Sequence, residues 1–350
     1  MQEQKTQFIN ELQAGGEVRD LFLVTAAQRL QTKAGQPYWR LELKDKTAGI
    51  EAKVWAPASE SFSVLPPGSV VEVKGKAGLY RDRLEVTVEH LRILSEEEQN
   101  RLDLTLFLEG SEQRPEDMLA ELIALCKRTF THKPWRRLVV PFLESEEIGQ
   151  RILAAPAAKG VHHAYAGGLL EHTLSVATLC LALADHYPEL DRQALLAGAV
   201  CHDLGKAWEL SGGMVPDYTD EGRLMGHIHL SLEVLEPFIR KSGLEPHLVT
   251  HFKHLILSHH GELAFGSPKV PQTAEALALH YADNLDAKLA QCREALREAG
   301  PQGWSAYQKT LERFLYKAES TPTPERADGL PAGKARENKK DDQCLLLSKA

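Results

Sequence analysis

Hydrophobic and polar positions follow two periods along this chain of 350 residues, and the change falls near residue 95. Between residues 18 and 94, the segments VRDLFLVTAAQRL, YWRLELKD, GIEAKVWA, SVVEVKGKAGLY and RLEVTVEHLRIL alternate partially and favour β-branched and aromatic residues. Such alternation predicts strands with one buried face, and the turn-like stretches KAGQP, DKTAG and YRDR separate them. Five short strands of this length are expected to close into a small barrel.

Beyond residue 95 the period becomes helical. Glu96 to Pro115 is charged and carries RPED, a domain boundary, and helical spacing begins near Met118 with Leu119, Leu122, Ile123 and Cys126. Pro134, Pro141 and Pro156 are expected to break the next stretch of chain into short helices. After Tyr316 the chain turns to ESTPTPERADGLPAGKARENKKDDQ, almost without apolar residues until Leu345, and disorder is expected. The predicted division is an N-terminal segment 1–17, a barrel 18–95, a helical connector 96–155, an all-α domain 156–318 and a disordered tail 319–350.

Polar residues on the apolar stripes carry the chemistry. His172 heads a stripe continued by Val176, Leu179 and Leu183. Leu195, Ala199 and His202 share one helix face while Leu196, Val200 and Asp203 share its neighbour, which sets a His and an Asp side by side before Gly205, read as a helix stop. His227 aligns with Val234 and Phe238, the pair His259 and His260 closes the apolar run Leu255 to Leu257, and Asp283 lies with Leu279, Ala287 and Ala290. An unpartnered polar group on such a face would cost several kcal/mol. Thirteen of the fifteen histidines fall between His162 and His280, and inside that stretch the words GGLLEHT, CHDLGK, MGHIH, LSHHG and HYADNLDAK follow in order.

Imidazoles mixed with carboxylates suit first-row divalent ions, with manganese favoured over iron, cobalt, nickel or zinc; magnesium prefers oxygen and water. The scarcity of cysteine in these words argues against a structural zinc site. Asp203 can bridge two ions, and such a pair activates water for in-line attack on phosphorus. Asp203 and Lys206 are therefore the catalytic candidates. Lys206 lies one turn beyond Asp203, where it either stabilises phosphoryl charge or is a solvated lysine near a helix end.

Composition narrows the partners. The five cysteines form no CxxC pair, and Cys201 reads as a small buried apolar residue. No apolar run reaches membrane-spanning length and the N-terminus MQEQKTQFINELQ lacks signal-peptide order, so a cytoplasmic chain without a membrane partner is expected. Net charge is −8, yet Glu17 to Leu94 holds twelve Lys and Arg against ten Asp and Glu, so the acidity lies outside the barrel.

In the barrel, the loop Gln31 to Pro37 after the first strand and the segment Ser59 to Leu65 before the fourth match the order of an OB-fold. Such barrels hold single strands through basic grooves and aromatic platforms. Tyr38, Trp39, Trp55, Phe62 and Tyr80 are the aromatic candidates, several of which must be core; Arg40, Lys44, Lys53, Arg81 and Arg83 are the basic ones. The substrate-binding set is Tyr38, Arg40, Lys53, Tyr80, Arg81 and Arg83, with Tyr80, Arg81 and Arg83 at a hairpin tip. His162 and His163 join it as contacts to substrate phosphate or stand as a solvated loop pair.

The five histidine words resemble the HD-domain phosphohydrolases over about residues 160 to 290. That resemblance implies an all-α domain in which His172, His202, Asp203 and Asp283 hold one ion, and Asp203, His227 and one or both of His259 and His260 hold a second. With LKDKTAGIEAKVW and PPGSVVEVKGKAGLYRDRLEV in the barrel, the whole resembles the YhaM-type 3′→5′ exoribonucleases from about residue 18 to 300. The resemblance implies single-stranded RNA, and to some degree single-stranded DNA, as substrate, 5′-mononucleotides as products, and a homo-oligomer. The alternatives are an HD enzyme acting on free nucleotides or cyclic dinucleotides with a regulatory barrel, and a catalytically silent nucleic-acid binder.

Overall fold

The computed structural model describes residues 5–81, 83–99, 101–107, 111, 113–158, 165, 167–211, 215–297, 299 and 303–319. Five strands, β1 (Glu17–Gln31), β2 (Pro37–Lys44), β3 (Gly49–Val54), β4 (Val70–Tyr80) and β5 (Arg83–Ile93), close into a barrel in the order β1-β2-β3-β5-β4. β1 is long enough to serve two neighbours. Its first part pairs with β4 and its second with β2, and a register shift between Val24 and Ala26 marks the bend. β3 and β5 close the barrel in parallel, from Glu51 opposite Glu85 to Val54 opposite Val88. This is the OB-fold order expected from the loops.

Alternation decides which side chains fill the barrel. Trp39, Leu41 and Leu43 of β2 and Ile50, Ala52 and Val54 of β3 point inward with Phe22, Val73 and Val86. Trp39 is therefore core: it is 6% exposed, packs on Phe62, and donates its indole N–H to the Ser59 carbonyl at 3.3 Å. The N-terminal segment is stitched to the barrel. The backbone N–H of Ile9 donates to Asp45 at 2.8 Å, and the ammonium of buried Lys5 lies 2.8 Å from the Leu21 carbonyl and 3.3 Å from Asp45.

The helical part comprises α1 (Glu96–Gln99), α2 (Pro115–Thr129), α3 (Lys133–Leu143), α4 (Glu146–Ala154), α5 (Gly168–His186), α6 (Arg192–Cys201), α7 (Lys206–Glu209), α8 (Asp220–Ser242), α9 (Pro246–Ser258) and α10 (Ala274–Arg297). Met118, Trp135, Leu138 and Phe142 from α2 and α3 share one apolar core with Leu170, Leu196, Phe252 and Leu279. The stretch expected as a connector is thus built into the helical unit. Prolines shape it less uniformly than expected. Pro134 opens α3 and Pro156 follows α4, but Pro141 lies inside α3, which continues to Leu143. Proline so close to a helix end forfeits one backbone hydrogen bond without stopping the turn.

One sequence expectation about membranes changes. By length and composition, Gly168–His186 is long and apolar enough to cross a bilayer, although half of its apolar window is buried in the core and it carries His172. Beyond α10, Trp304 pairs with Tyr316 and Gln308 with Arg313 in isolated bridges. The tail expected to be disordered lies, after Glu319, outside the described residues.

Candidate metal centre and nucleic-acid face

Four helices and a turn deliver the seven sequence-predicted ligands to one point. His172 comes from the second turn of α5 and Asp283 from the middle of α10; His202 and Asp203 occupy the turn after α6, which Asp191 caps by accepting from the backbone N–H of Gln193 and Ala194. His227 rises from α8, and His259 and His260 follow the end of α9.

Two glycines shape the site, one through a close approach and one through a break in a helix. Gly205 is not itself the helix stop expected from the sequence: α6 already ends at Cys201, and Gly205, at φ −62°, stands just before α7. A Cβ there would stand 2.1 Å from the His227 carbonyl oxygen and 2.6 Å from the Ser231 nitrogen, so glycine lets the His202–Asp203 turn lie directly on α8. Gly226, at φ 74° and ψ 157°, breaks the helical path of α8 just before His227. That break frees the His227 backbone N–H to donate to Glu209 at 3.0 Å.

The geometry resolves into two ligand sets sharing Asp203. His172, His202, Asp203 and Asp283 offer atoms all within 4.8 Å of one another, and so do Asp203, His227, His259 and His260. Opposite ligands of one ion about 2.1 Å away are separated by about 4.2 Å, so each set needs little closure. Asp203 Oδ2 lies 3.5 Å from His172 Nε2 and 3.4 Å from His202 Nε2, while its Oδ1 lies 3.4 Å from both His227 Nε2 and His259 Nε2. One carboxylate therefore presents an oxygen to each set.

Every histidine has its other ring nitrogen occupied. Nδ1 pairs with Asp286 at 2.7 Å for His172, with the Ala199 carbonyl at 2.8 Å for His202, and with Glu209 at 3.2 Å for His227. For His259 and His260 the acceptors are the Ile256 and Phe265 carbonyls, at 2.8 and 2.9 Å. An Nδ1–H held by an acceptor leaves a lone pair on Nε2, the form a metal needs. Asp203 Oδ1, His227 Nε2 and His259 Nε2 are buried without a hydrogen-bond partner. Each such atom would cost about 1–3 kcal/mol if left unmet, and a cation between them removes all three penalties together. The residues fit a divalent ion.

Electrostatics point the same way. Burial holds His259 and His260 below the ordinary imidazole range, so both remain neutral. Burial alone would raise the Asp203 carboxyl, but Lys206 and the surrounding histidines hold it well below the usual range. Burial likewise opposes charge on Lys206, yet Asp203, Asp283 and Glu209 keep its ammonium above the ordinary lysine value. Its Nζ sits 2.7 Å from Asp203 Oδ2, so Lys206 belongs to the centre as an ion-pair partner of the shared ligand, and the solvated alternative falls away.

Sequence reasoning missed the groups behind the ligands. Asp286 accepts from His172 and from the Ser175 hydroxyl, and Glu209 accepts twice from His227. His280 Nδ1 lies 2.8 Å from the His259 carbonyl and braces that turn. A signal for Asp286 existed, since it follows Asp283 by three residues on one helix face in HYADNLDAK. His251 and His254, unassigned from the sequence, tie α9 to Thr273 and the Gln272 backbone. Burial pushes the Cys126 thiol up to about 12 and raises Cys201 as well, consistent with apolar packing residues. His162 and His163 lie outside the described residues.

On the barrel, Tyr38 and Arg40 of β2 and Lys53 of β3 share the outer face, and Trp55 follows directly after β3. The Tyr38 and Trp55 rings stack at 4.6 Å, the Lys53 ammonium stands 4.4 Å from the Tyr80 ring, and Tyr80 and Arg83 pair at the β4–β5 hairpin with Arg81 at its tip. Trp55 and Tyr80 are about half exposed. Lys53 is less available than its neighbours, being bound to Glu85 at 2.5 Å, and Arg40 donates to Gln28 at 2.7 Å.

Residues 169–288 match the HD domain family, and residues 16–94 match the OB-fold nucleic acid binding domain family. Fold and site thus define a nucleic-acid-binding barrel joined to an HD-type metal centre. The 3′-5′ exoribonuclease YhaM of Geobacillus sp. (strain WCH70) is 35% identical over 306 residues, covering 87% of this chain and 93% of that protein. The 3′-5′ exoribonuclease YhaM of Bacillus subtilis (strain 168) is 34% identical over 307 residues, covering 87% and 96%. The chain belongs to the YhaM 3′-5′ exoribonuclease family.

Proposed function

We propose that this protein is a metal-dependent exoribonuclease that shortens single-stranded RNA from its 3′ end, accepts single-stranded DNA, and releases 5′-mononucleotides. The observation that carries this reading is the pair of ligand sets sharing Asp203 in a chain that also holds an OB-fold barrel. Two divalent ions, manganese favoured, would supply Lewis acidity and activation of water at these sets.

The chain's own residues do the rest. Asp203 fixes the spacing between the two sets, and Asp286, Glu209 and the backbone carbonyls aim the imidazoles. Lys206 holds a proton beside Asp203 and sets positive charge against phosphoryl oxygens. Tyr38, Trp55 and Tyr80 offer stacking faces to successive bases, and Arg40, Lys53, Arg81 and Arg83 counter the phosphates. His162 and His163, which precede α5 in the sequence, are assigned to the substrate phosphate.

Two further assignments accompany this reading. The cytoplasm suits a chain in which Cys126, Cys180, Cys201 and Cys292 stand free. A homo-oligomer is supported by an exposed stripe on α10, Leu277, Tyr281, Leu285 and Leu289, each 46 to 64% exposed at four-residue spacing. Sedimentation should show wild-type protein as an oligomer and Leu285→Glu as a smaller species; an unchanged species would exclude that face.

RNA labelled at its 5′ end and carrying a 3′ single-stranded tail tests the activity. A ladder of one-nucleotide steps is expected. Hydrolysis of free nucleotides or cyclic dinucleotides with the RNA left intact would replace this reading by a nucleotide phosphohydrolase with a regulatory barrel.

A further inference from the structure

A second cationic surface is formed by residues of α3 that belong neither to the barrel nor to the two ligand sets. On α3, Trp135, Leu138, Val139, Phe142 and Leu143 are buried, while Lys133, Arg136 and Arg137 stand exposed at positions i, i+3 and i+4 of the opposite face. These cations line a concavity of about 460 Å³ with Val140 and Pro141 as its apolar floor. At one edge Lys127 is already neutralised by Glu144 at 2.5 Å. Among the described residues, no carboxylate forms an ion pair with Lys133, Arg136 or Arg137.

That arrangement is unfavourable without a partner. Like charges at this helical spacing repel, and the chain as a whole carries net charge −8, so surplus cations are not forced on this helix by composition. α3 packs on α8, which carries His227, and on α6, which leads into His202 and Asp203; Trp135 meets Phe252 of α9 edge to face at 5.7 Å. The cations are thereby fixed to the frame that holds the ligands rather than to the barrel.

We propose that Lys133, Arg136 and Arg137 form a second RNA-backbone site, which holds phosphates of a long strand whose bases occupy the barrel and whose 3′ end enters the metal centre. The proposal rests on RNA being the substrate. Charge complementarity selects a polyanion. The face is open and its guanidiniums are unshared, so they can take phosphate oxygens in bidentate fashion, while the apolar floor accepts a ribose or base edge.

The test compares the full chain with its Lys133→Gln/Arg136→Gln/Arg137→Gln variant, both freed of metal so that RNA is bound and not cut. Fluorescence anisotropy is read with oligoadenylates shorter and longer than the roughly 4–16 nucleotides one barrel holds. For the long strand, Kd should weaken about tenfold and the slope of log K against log salt should fall by about two, as expected for three phosphate contacts on a single strand. The short strand should bind both proteins equally, and Arg136→Lys/Arg137→Lys should keep most of the affinity. Unchanged circular dichroism would assign the loss to the patch. An unchanged Kd and slope for the long strand, or competition by polyglutamate that RNA cannot match, would overturn the proposal. Loss of the 3′-end ladder in metal-loaded wild type would instead overturn the exoribonuclease reading and leave the binding result standing.

Discussion

At the scale of single residues, the metal centre is a problem of orientation. Five imidazoles converge on a small space, and each is held by an acceptor on its Nδ1 side. Among these acceptors Asp286 holds the Nδ1 side of His172 and also accepts from the Ser175 hydroxyl. Asp286→Asn should weaken metal binding about 10–100-fold, the usual cost of losing such a partner, with activity recovered at high metal concentration. Metal titration followed by calorimetry checks this; an unchanged affinity would remove Asp286 from the site. The sequence made the ligands legible, since each of the seven interrupts or ends an apolar stripe. It did not reveal Asp286 or Glu209, whose partners come from other helices. Trp39 was equally ambiguous between core and ligand face, and the inward phase of β2 decides it.

At the level of elements, one close contact transmits the fold to the site. The turn after α6 lies on α8 because Gly205 has no side chain, and Gly205→Ala would drive a Cβ into backbone atoms that cannot rotate away. We expect a loss of about 1–3 kcal/mol of stability, as for other overpacked positions, together with weaker binding at the set containing His227. Thermal unfolding with and without metal would measure both, and a fully stable variant binding metal normally would contradict the assigned role. A helix-stop reading of the same glycine would place its demand on φ, whereas the structure places it on space.

Trp55→Ala should cost about 1–3 kcal/mol in single-strand affinity, the range for one lost base stack, while hydrolysis of a small phosphodiester stays unchanged. Equal RNA affinity would return the Tyr38–Trp55 pair to a purely structural role. The strand order of the barrel was readable from alternation and loop lengths. What alternation could not give was Lys53 held by Glu85, an ion pair across the parallel β3–β5 junction that lowers its availability to phosphate.

At the scale of the whole molecule, an acidic chain brings a polyanion to a cluster of imidazoles and carboxylates. The barrel, with its slight surplus of basic residues, and the exposed cations of α3 provide the attraction that net charge −8 denies the molecule overall. The division into a β part and a helical part was visible in the change of hydrophobic period. The packing of the connector on the catalytic helices was expected as well, but that residues 115–154 share one continuous core with them depends on contacts distant in sequence.

The central claim is that the two ligand sets joined by Asp203 would hold the metal that removal of nucleotides from an RNA 3′ end requires. Its most direct test measures metal content and cleavage on the same samples of wild-type and Asp203→Ala protein, using 5′-labelled RNA with a 3′ tail. Wild-type protein should hold metal and produce a ladder of one-nucleotide steps, while Asp203→Ala should lose metal and all shortening yet still bind the strand through the barrel. Continued stepwise shortening by Asp203→Ala would contradict the account.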